Sequence, residues 1–433
     1  FDIIWAQGIA LEEAVGHLRR AFDFYVQARD IAHAVAVAGA TFPGMPGREG
    51  MAPIMERALA LVSPGSIEAG RLLSTLGRYF GLKGDYEGAE RAFERALTIA
   101  DRENDVALKL NALTNSGNVD ACHLHFEEAT EKSLRAIELA RSFDSPSDES
   151  LAHIDLAAIL LAKGDLKQAK IHAAAGLAAA ERLRDRERLA TACAYQASTT
   201  LAEGDWRAAR SLSDRALGLW GWTGSDRVLL ECEVGDFERS ETFLKQLLDG
   251  TYAAGFDYTA DLALVIPMVG RITGAGDRLD IAEMAAGRVL SSSHSTPVEI
   301  LWAKVGMALI AIQRGDADAA AEHYATLKFP SGVIKTLSVS SARLLGLLAQ
   351  TAGKLDEAMA HFDEALAFCR KAGYRPELAW TCCDYADALL QRNSPGDQHK
   401  ATKLLDEALA ISRELGMRPL MERVLARRAI LKA

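Results

Sequence analysis

Residues 84–97 read Gly84-Asp85-Tyr86-Glu87-Gly88-Ala89-Glu90-Arg91-Ala92-Phe93-Glu94-Arg95-Ala96-Leu97. Glycine tolerates the left-handed backbone that closes a helix, and aspartate accepts hydrogen bonds from the first free N–H groups of the next one. Ala89, Ala92, Phe93, Ala96 and Leu97 then recur at helical spacing, which makes one apolar stripe. The small Ala89 and Ala96 admit a neighbouring helix, and Phe93 fills the gap between them. The stretch therefore reads as a tight turn followed by a helix.

Versions of this stretch return along the chain. Gly-Asp pairs stand at Gly84-Asp85, Gly164-Asp165, Gly204-Asp205, Gly235-Asp236, Gly276-Asp277, Gly315-Asp316 and Gly396-Asp397. Degenerate copies lie at His123-Leu124-His125-Phe126 and Gly353-Lys354-Leu355. By subtraction the successive spacings are 40, 40, 40, 31, 41, 39, 38 and 43 residues. A period near 40 sustained over this length marks a stacked repeat. A large residue follows most turns and a small one comes three later, as in Phe126/Ala129, Leu166/Ala169 and Trp206/Ala209. A small residue also precedes each turn: Gly77, Gly117, Ala157, Ala197, Gly270, Ala308 and Gly346. Each unit thus reads as two antiparallel helices packed small into large. The spacing of 31 clips one unit, whose first helix is expected near Asp226 to Val234.

The pattern Leu76-Gly77, Phe80, Gly84-Asp85-Tyr86, Ala89, Phe93, Ala96 resembles the tetratricopeptide repeat, and Leu345-Gly346, Gly353, Ala358, Phe362, Ala365-Leu366 resembles it nearly as well. The resemblance spans roughly residues 66 to 415. It departs from the family in a period of about 40 rather than 34 residues, which implies longer helices or larger loops. It also lacks the closing proline, since Asp101-Arg102-Glu103-Asn104-Asp105 follows Ala100. Longer repeats of this kind resemble those of bacterial signalling ATPases: maltose-activator-like and LuxR-type regulators, and adenylate or guanylate cyclases with an ATPase core. The stretches 367–380 and 410–417 look like the closing repeats of that group. Neither a phosphate-binding Gly-rich loop with Lys-Ser/Thr nor a helix-turn-helix segment is found, so what the resemblance implies is the role of a repeat region. The chain opens Phe1-Asp2-Ile3-Ile4-Trp5 without methionine, and it reads as a piece of something longer.

The expected fold is all-α, a right-handed superhelix of nine or ten antiparallel helix pairs. Residues 1–62 form an N-terminal helical segment broken by the Pro/Gly-rich loop at 41–50. Residues 63–415 form the array, and residues 416–433 form a capping helix.

Composition narrows the function. A formal net charge of -10 argues against a nucleic-acid-binding body and against an anionic membrane surface as partner. The most apolar run, Leu262 to Val269, is too short to span a bilayer. No secretory leader is visible, and six cysteines without framework spacing fit a reduced, cytoplasmic setting. His123 and His125 beside Cys122 lack a further ligand at metal-site spacing, so no metal is expected. Cys382 and Cys383 diverge on a helix and read as buried packing. Asp356-Glu357 and Asp363-Glu364 read as solvated charge, and Ser291-Ser292-Ser293-His294 as a linker. No catalytic residue and no cofactor are expected.

A binding surface remains. The first helix of each unit lines the concave face of such an array. Its non-core positions carry Arg71, Ser74 and Arg78, then Asn111, Thr114 and Asn118. These residues can hold a partner's carboxylates and backbone amides. The following units place Leu151, Ile154, Thr191 and Ala194 there, a more apolar continuation. Trp206, Trp220 and Trp222 cluster at the clipped unit, where they plug a seam or present an aromatic patch. The expected function is a non-catalytic scaffold or sensor region that binds a protein or peptide, in contact with another copy through its repeat ends, and regulates an attached ATPase, cyclase or transcription output. The alternatives are a small-molecule receptor in the concave face and an enzyme built on a closed helical toroid.

Overall fold

The computed structural model describes residues 11–39, 51–220, 225–253, 259–328, 332 and 339–432. The fold is an all-α solenoid, with 22 helices and no strand among the described residues. Helices α1 (Leu11–Gln27), α2 (Ile31–Ala38) and α3 (Met51–Leu59) come first. Four pairs follow: α4 (Ile67–Leu82) with α5 (Tyr86–Glu103), α6 (Val106–Cys122) with α7 (Phe126–Ser142), α8 (Pro146–Lys163) with α9 (Leu166–Glu181), and α10 (Arg186–Glu203) with α11 (Trp206–Trp220). Next come α12 (Asp226–Glu233) with α13 (Phe237–Ala253), α14 (Thr259–Thr273) with α15 (Leu279–Ser291), and α16 (Pro297–Arg314) with α17 (Ala317–Thr326). The array ends in α18 (Ser341–Thr351) with α19 (Leu355–Ala372), α20 (Arg375–Arg392) with α21 (Asp397–Leu415), and the single α22 (Arg418–Lys432). The Pro/Gly-rich stretch at 41–50, and Trp222, lie outside the described residues.

The turns form as their chemistry dictates. Gly84, Gly164, Gly204, Gly235 and Gly315 sit at φ between 65° and 88°. The aspartate after each caps the next helix: Asp85 accepts from Gly88 N–H at 2.8 Å, and Asp316 from Ala319 N–H at 3.0 Å. Two Gly-Asp pairs behave otherwise. At 276–277 the left-handed residue is Gly274, with φ 77°. At 396–397 the preceding helix is closed by Asn393 at φ 52°, and Gly396 is itself the N-cap. The extra residues explain the long spacing there.

Longer helices account for the 40-residue period. In the first clear unit α4 and α5 have 16 and 18 residues, joined by only three. The missing proline is replaced by Asn104 in the left-handed region at φ 53° and by Asp105, which caps α6.

The outer helices bury one stripe; in α5 it is Ala89, Ala92, Phe93, Ala96, Ile99 and Ala100. The inner helices are buried nearly all round. Ala152 to Ala157 in α8, Leu262 to Met268 in α14 and Ala379 to Ala386 in α20 are buried without a break.

The reason is that the superhelix stacks on itself. A Cβ at Gly84 would stand 3.0 Å from the Ser295 carbonyl oxygen, one at Gly164 2.6 Å from the Phe368 ring, and one at Gly204 2.7 Å from Leu415. By subtraction these partners lie 211, 204 and 211 residues further along. The turn at Leu124, between Gly84 and Gly164, packs into the large core formed by residues 201–424. Hydrogen bonds fasten the seam. Trp206 Nε1 donates to the Leu415 carbonyl at 2.6 Å, Arg418 Nε to that of Val234 at 2.8 Å, and the Tyr374 hydroxyl to that of Leu161. One superhelical turn therefore takes about five repeats of the solenoid.

The clipped helix α12 is held by charge. Arg227 and Glu231 are 1% and 0% exposed and pair at 2.7 Å, while Asp214 takes the other edge of Arg227 at 2.8 Å. Trp206 belongs to the seam, and the side chain of Trp220 is not among those described. Glu233, at the end of α12, is buried against Trp380, whose Nε1 donates to both carboxylate oxygens at 2.9 and 3.0 Å. Burial pushes the Glu233 pKa from 4.5 up to about 7, against the indole donor and the nearby Arg343 and Arg423, with Glu377 adding to the rise.

Two predictions follow from this packing. Gly315→Ala, with open space around it, is expected to cost only the left-handed strain of about 1–2 kcal/mol. Gly164→Ala adds the clash with Phe368 and is expected to cost about 1–3 kcal/mol more, read by chemical unfolding of each variant. Equal losses would mean that the stacked turns contribute nothing. For Glu233, the folded-state pKa lies above the unfolded value. Its contribution is therefore present below pH 4.5 and lost as the pH rises through about 7. Glu233→Gln is expected to abolish that fall, of up to roughly 3 kcal/mol, in unfolding curves taken across this range.

Candidate functional site

The six groove positions of the sequence pattern separate in the structure. Arg71 is exposed and faces Asp105 at 3.7 Å, at the outer start of α6. Ser74 is buried and donates to Asn111 Oδ1 at 2.7 Å, and Asn115 Nδ2 donates to Ser74 at 3.0 Å, so these three tie α4 to α6. Thr114 is buried and donates to its own helix at Leu110 O, 2.9 Å. Asn118 and Arg78 remain, and both reach a polar cluster on the concave side. Of the more apolar continuation, Ile154 is core, while Leu151, Thr191 and Ala194 are half-buried.

That cluster is assembled from successive inner helices. Arg78 comes from α4, Asn118 and Cys122 from α6, Asp155 from α8, and Glu187, Arg188 and Tyr195 from α10. Asn118 Nδ2 donates to Asp155 Oδ1 at 3.2 Å. Arg78 lies close enough to Asp155, Arg188, Cys122 and Glu187 for each to act on its charge. Cys122 also feels Glu299 of α16, and Tyr195 feels Asp226 of α12 and Asp261 of α14. Charges from seven successive inner helices act on one another here, which puts the cluster on the inner side of the superhelix.

The interior is expensive for charge, and the ionisable groups respond. Burial pushes the Asp155 carboxyl up to about 6, against the pull of Arg78 and the Asn118 hydrogen bond. Burial raises Glu187 and lowers Arg78 in the same sense, each toward its neutral form. The Tyr195 hydroxyl is raised by burial and by the surrounding carboxylates. The Cys122 thiol is pushed up to about 12, so it stays protonated and is a poor nucleophile at neutral pH. Polar capacity is left unused: Arg78 Nε, Arg188 Nε and Gln196 Oε1 are buried without a hydrogen-bond partner. Such atoms cost stability unless something fills them.

Asp155, Glu187, Arg188 and Tyr195 were missed by reading the groove from a fixed register. The available signal was Asp155 itself, a lone carboxylate in the apolar run Ile154-Asp155-Leu156-Ala157-Ala158-Ile159. The histidine pair has a structural role. His123 Nε2 donates to the Gly81 carbonyl at 2.8 Å, and both imidazoles flank the Tyr86 ring at 4.8 and 4.6 Å. Tyr86 is more than packing, because its hydroxyl donates to Asp120 Oδ1 at 2.9 Å. Cys382 and Cys383 are fully buried in α20.

The MalT-like TPR region family matches residues 52–232, and a tetratricopeptide repeat family matches residues 337–415. The chain is a tetratricopeptide-like helical repeat protein. No curated protein matches this repeat protein. Among solved structures it is similar to the apo form of RapI, at 12% identity and TM-score 0.43, covering 63% of this chain and 94% of that one. It is also similar to PilF of Pseudomonas aeruginosa, at 18% identity and TM-score 0.35, covering 58% and 98%. At these scores neither likeness carries an argument about the site. No helix among the described residues is long and apolar enough to cross a membrane.

The unfilled arginine makes a prediction that separates function from stability. Arg78→Leu is expected to cost the isolated chain no more than about 1 kcal/mol, because the half-buried guanidinium makes no hydrogen bond at its Nε and what is lost is its pull on Asp155. Thermal unfolding measures it, and a larger loss in Arg78→Leu would make Arg78 a structural residue.

Proposed function

We propose that this repeat protein is a non-catalytic interaction scaffold whose concave interior receives an extended protein or peptide segment. Its reading rests on one observation: Arg78 and Arg188 reach the superhelix axis with buried, unpartnered Nε atoms, beside Asp155 and Glu187. A guanidinium with an open edge takes a carboxylate, and a pair of them takes it with direction. The carboxylates next to them accept the backbone N–H groups or ammonium of the same segment. Asn118 and Tyr195 supply further polar contacts. The bound segment replaces the missing partners of groups that the fold leaves costly.

In its wider setting the region regulates an attached ATPase, cyclase or transcription output, a reading supported by the likeness of residues 52–232 to the MalT-like repeat region. A small-molecule inducer would use the same two arginines and is separated from a peptide by the test below. An enzyme on a closed helical toroid needs ends that meet and an inner wall of carboxylates and aromatic side chains. The turns here stack in a superhelix, and the wall mixes arginines with carboxylates.

The test is selection of a phage-displayed random peptide library on the intact chain. Recovered sequences are expected to share an acidic side chain or a free C-terminal carboxylate. Arg78→Ala and Arg188→Ala are each expected to weaken the selected peptides at least about tenfold by calorimetry, or about 1.4 kcal/mol. A library that yields no binder, or binders indifferent to both substitutions, sinks the proposal.

A further inference from the structure

A second polar cavity lies in the last turn of the superhelix, where five inner helices meet. Its volume is about 530 Å3. Arg271 enters it from α14, Gln350 from α18, Asp384, Asp387 and Gln391 from α20, and Arg423 and Arg427 from α22. This is a separate place from the Arg78 cluster, which is built on helices α4 to α16.

Its charges do not balance. Arg427 grips Asp387 with Nε at 3.0 Å and with a terminal nitrogen at 3.2 Å. Arg271 holds Asp384 at 2.6 Å, and Asp384 is shared with the buried Arg343 at 3.4 Å. Arg423 has no such partner among the described residues. One of its nitrogens donates to the Arg271 carbonyl at 2.6 Å, and its guanidinium lies over the Trp380 ring at 5.0 Å. Burial pushes its pKa down, with Arg271 and Arg427 acting in the same direction and Asp384 against them. Arg271 Nε is also buried without a hydrogen-bond partner. In the cavity wall three guanidiniums thus face two carboxylates, one of them already shared, while the buried Glu233, near enough to act on Arg423, is held behind the wall by Trp380. Gln350 donates to Gln391 at 3.1 Å at the exposed rim.

We propose that this cavity is a second binding site, for a small organic molecule carrying a single carboxylate that closes on Arg423 and the open edge of Arg271. The excess of one guanidinium over the carboxylates of the wall favours a monoanion, and the planar guanidinium fork fits a carboxylate in two-point contact. A dianion such as phosphate would overshoot the charge. The amides of Gln350 and Gln391 read polar groups on the rest of the molecule, and Ile312 and Leu347 cover its apolar part. The volume falls within the usual range of small-molecule pockets.

The experiment is calorimetry and thermal unfolding of the intact chain with acetate, hexanoate, benzoate and inorganic phosphate. At least one carboxylate is expected to bind saturably and raise the unfolding temperature, at least about tenfold more tightly than phosphate. Arg423→Gln is expected to weaken it at least about tenfold, while Arg78→Leu leaves it unchanged, which places the ligand here rather than on the superhelix axis of the first repeats. Should Arg423→Gln fail to fold, Gln350→Met at the rim keeps the question open to measurement and is expected to weaken binding severalfold. Absence of saturable binding by all three carboxylates, tighter binding of phosphate, or binding unmoved in Arg423→Gln and Gln350→Met overturns the proposal.

Discussion

The close passage of one superhelical turn over the next governs the rest of this molecule. Gly84, Gly164 and Gly204 lie against Ser295, Phe368 and Leu415 so tightly that a single added carbon would collide. A turn that small lets two layers of helix ends meet. Once they meet, the inner helices have protein on the axis side as well as on the side of their outer partners. Their burial all round follows, and so does the cost of every polar group that points inward.

That geometry divides the chain into parts a sequence reader can see and parts it hides. The outer helices advertise themselves, because one face is wet and Ala89, Phe93 and Ala96 repeat on the other. The turns advertise themselves too, since few residues besides glycine accept a left-handed backbone and aspartate caps well. The inner helices carry little periodic contrast. Register therefore slipped on them, and Ser74 and Thr114 passed for groove residues although they are buried between helices. Gly396-Asp397 misled for a local reason: Asn393 can serve as the left-handed residue, so the pair is free to start a helix instead of ending one. Leu124 shows the converse. It adopts φ 65° without being glycine, and its side chain joins the core of the stacked turns. Stacking itself leaves no local mark, because its contacts span about five repeats of the array.

The interior handles its charges in two ways, and the contrast distinguishes structure from recognition. Arg227 and Glu231 pair face to face, with Asp214 and the ring of Phe243 completing the site. Arg343 is likewise met by Glu377 and Asp384. These pairs brace the clipped repeat and the later turn, although one terminal nitrogen of Arg227 is buried there without a hydrogen bond. Arg78 and Arg188 are equally enclosed at Nε, yet no hydrogen bond reaches those atoms.

The position of those guanidiniums also bears on how occupancy could be felt outside. Arg78 stands on α4 and Arg188 on α10, so a carboxylate held by both spans four successive inner helices. In an open solenoid each repeat answers only to its neighbours. Here α10 leads directly into the turn at Gly204 and Trp206, which is fastened to Leu415 at the far end of the array. A segment that drew α4 and α10 together on the axis would load the seam between superhelical turns, and through it α21 and α22. A carboxylate between the two guanidiniums compensates one of their charges, and a hydrogen bond to a charged group contributes about 1.5–3 kcal/mol. Free energy of that size would shift a two-state population at the seam about tenfold, because each 1.4 kcal/mol is about a factor of ten.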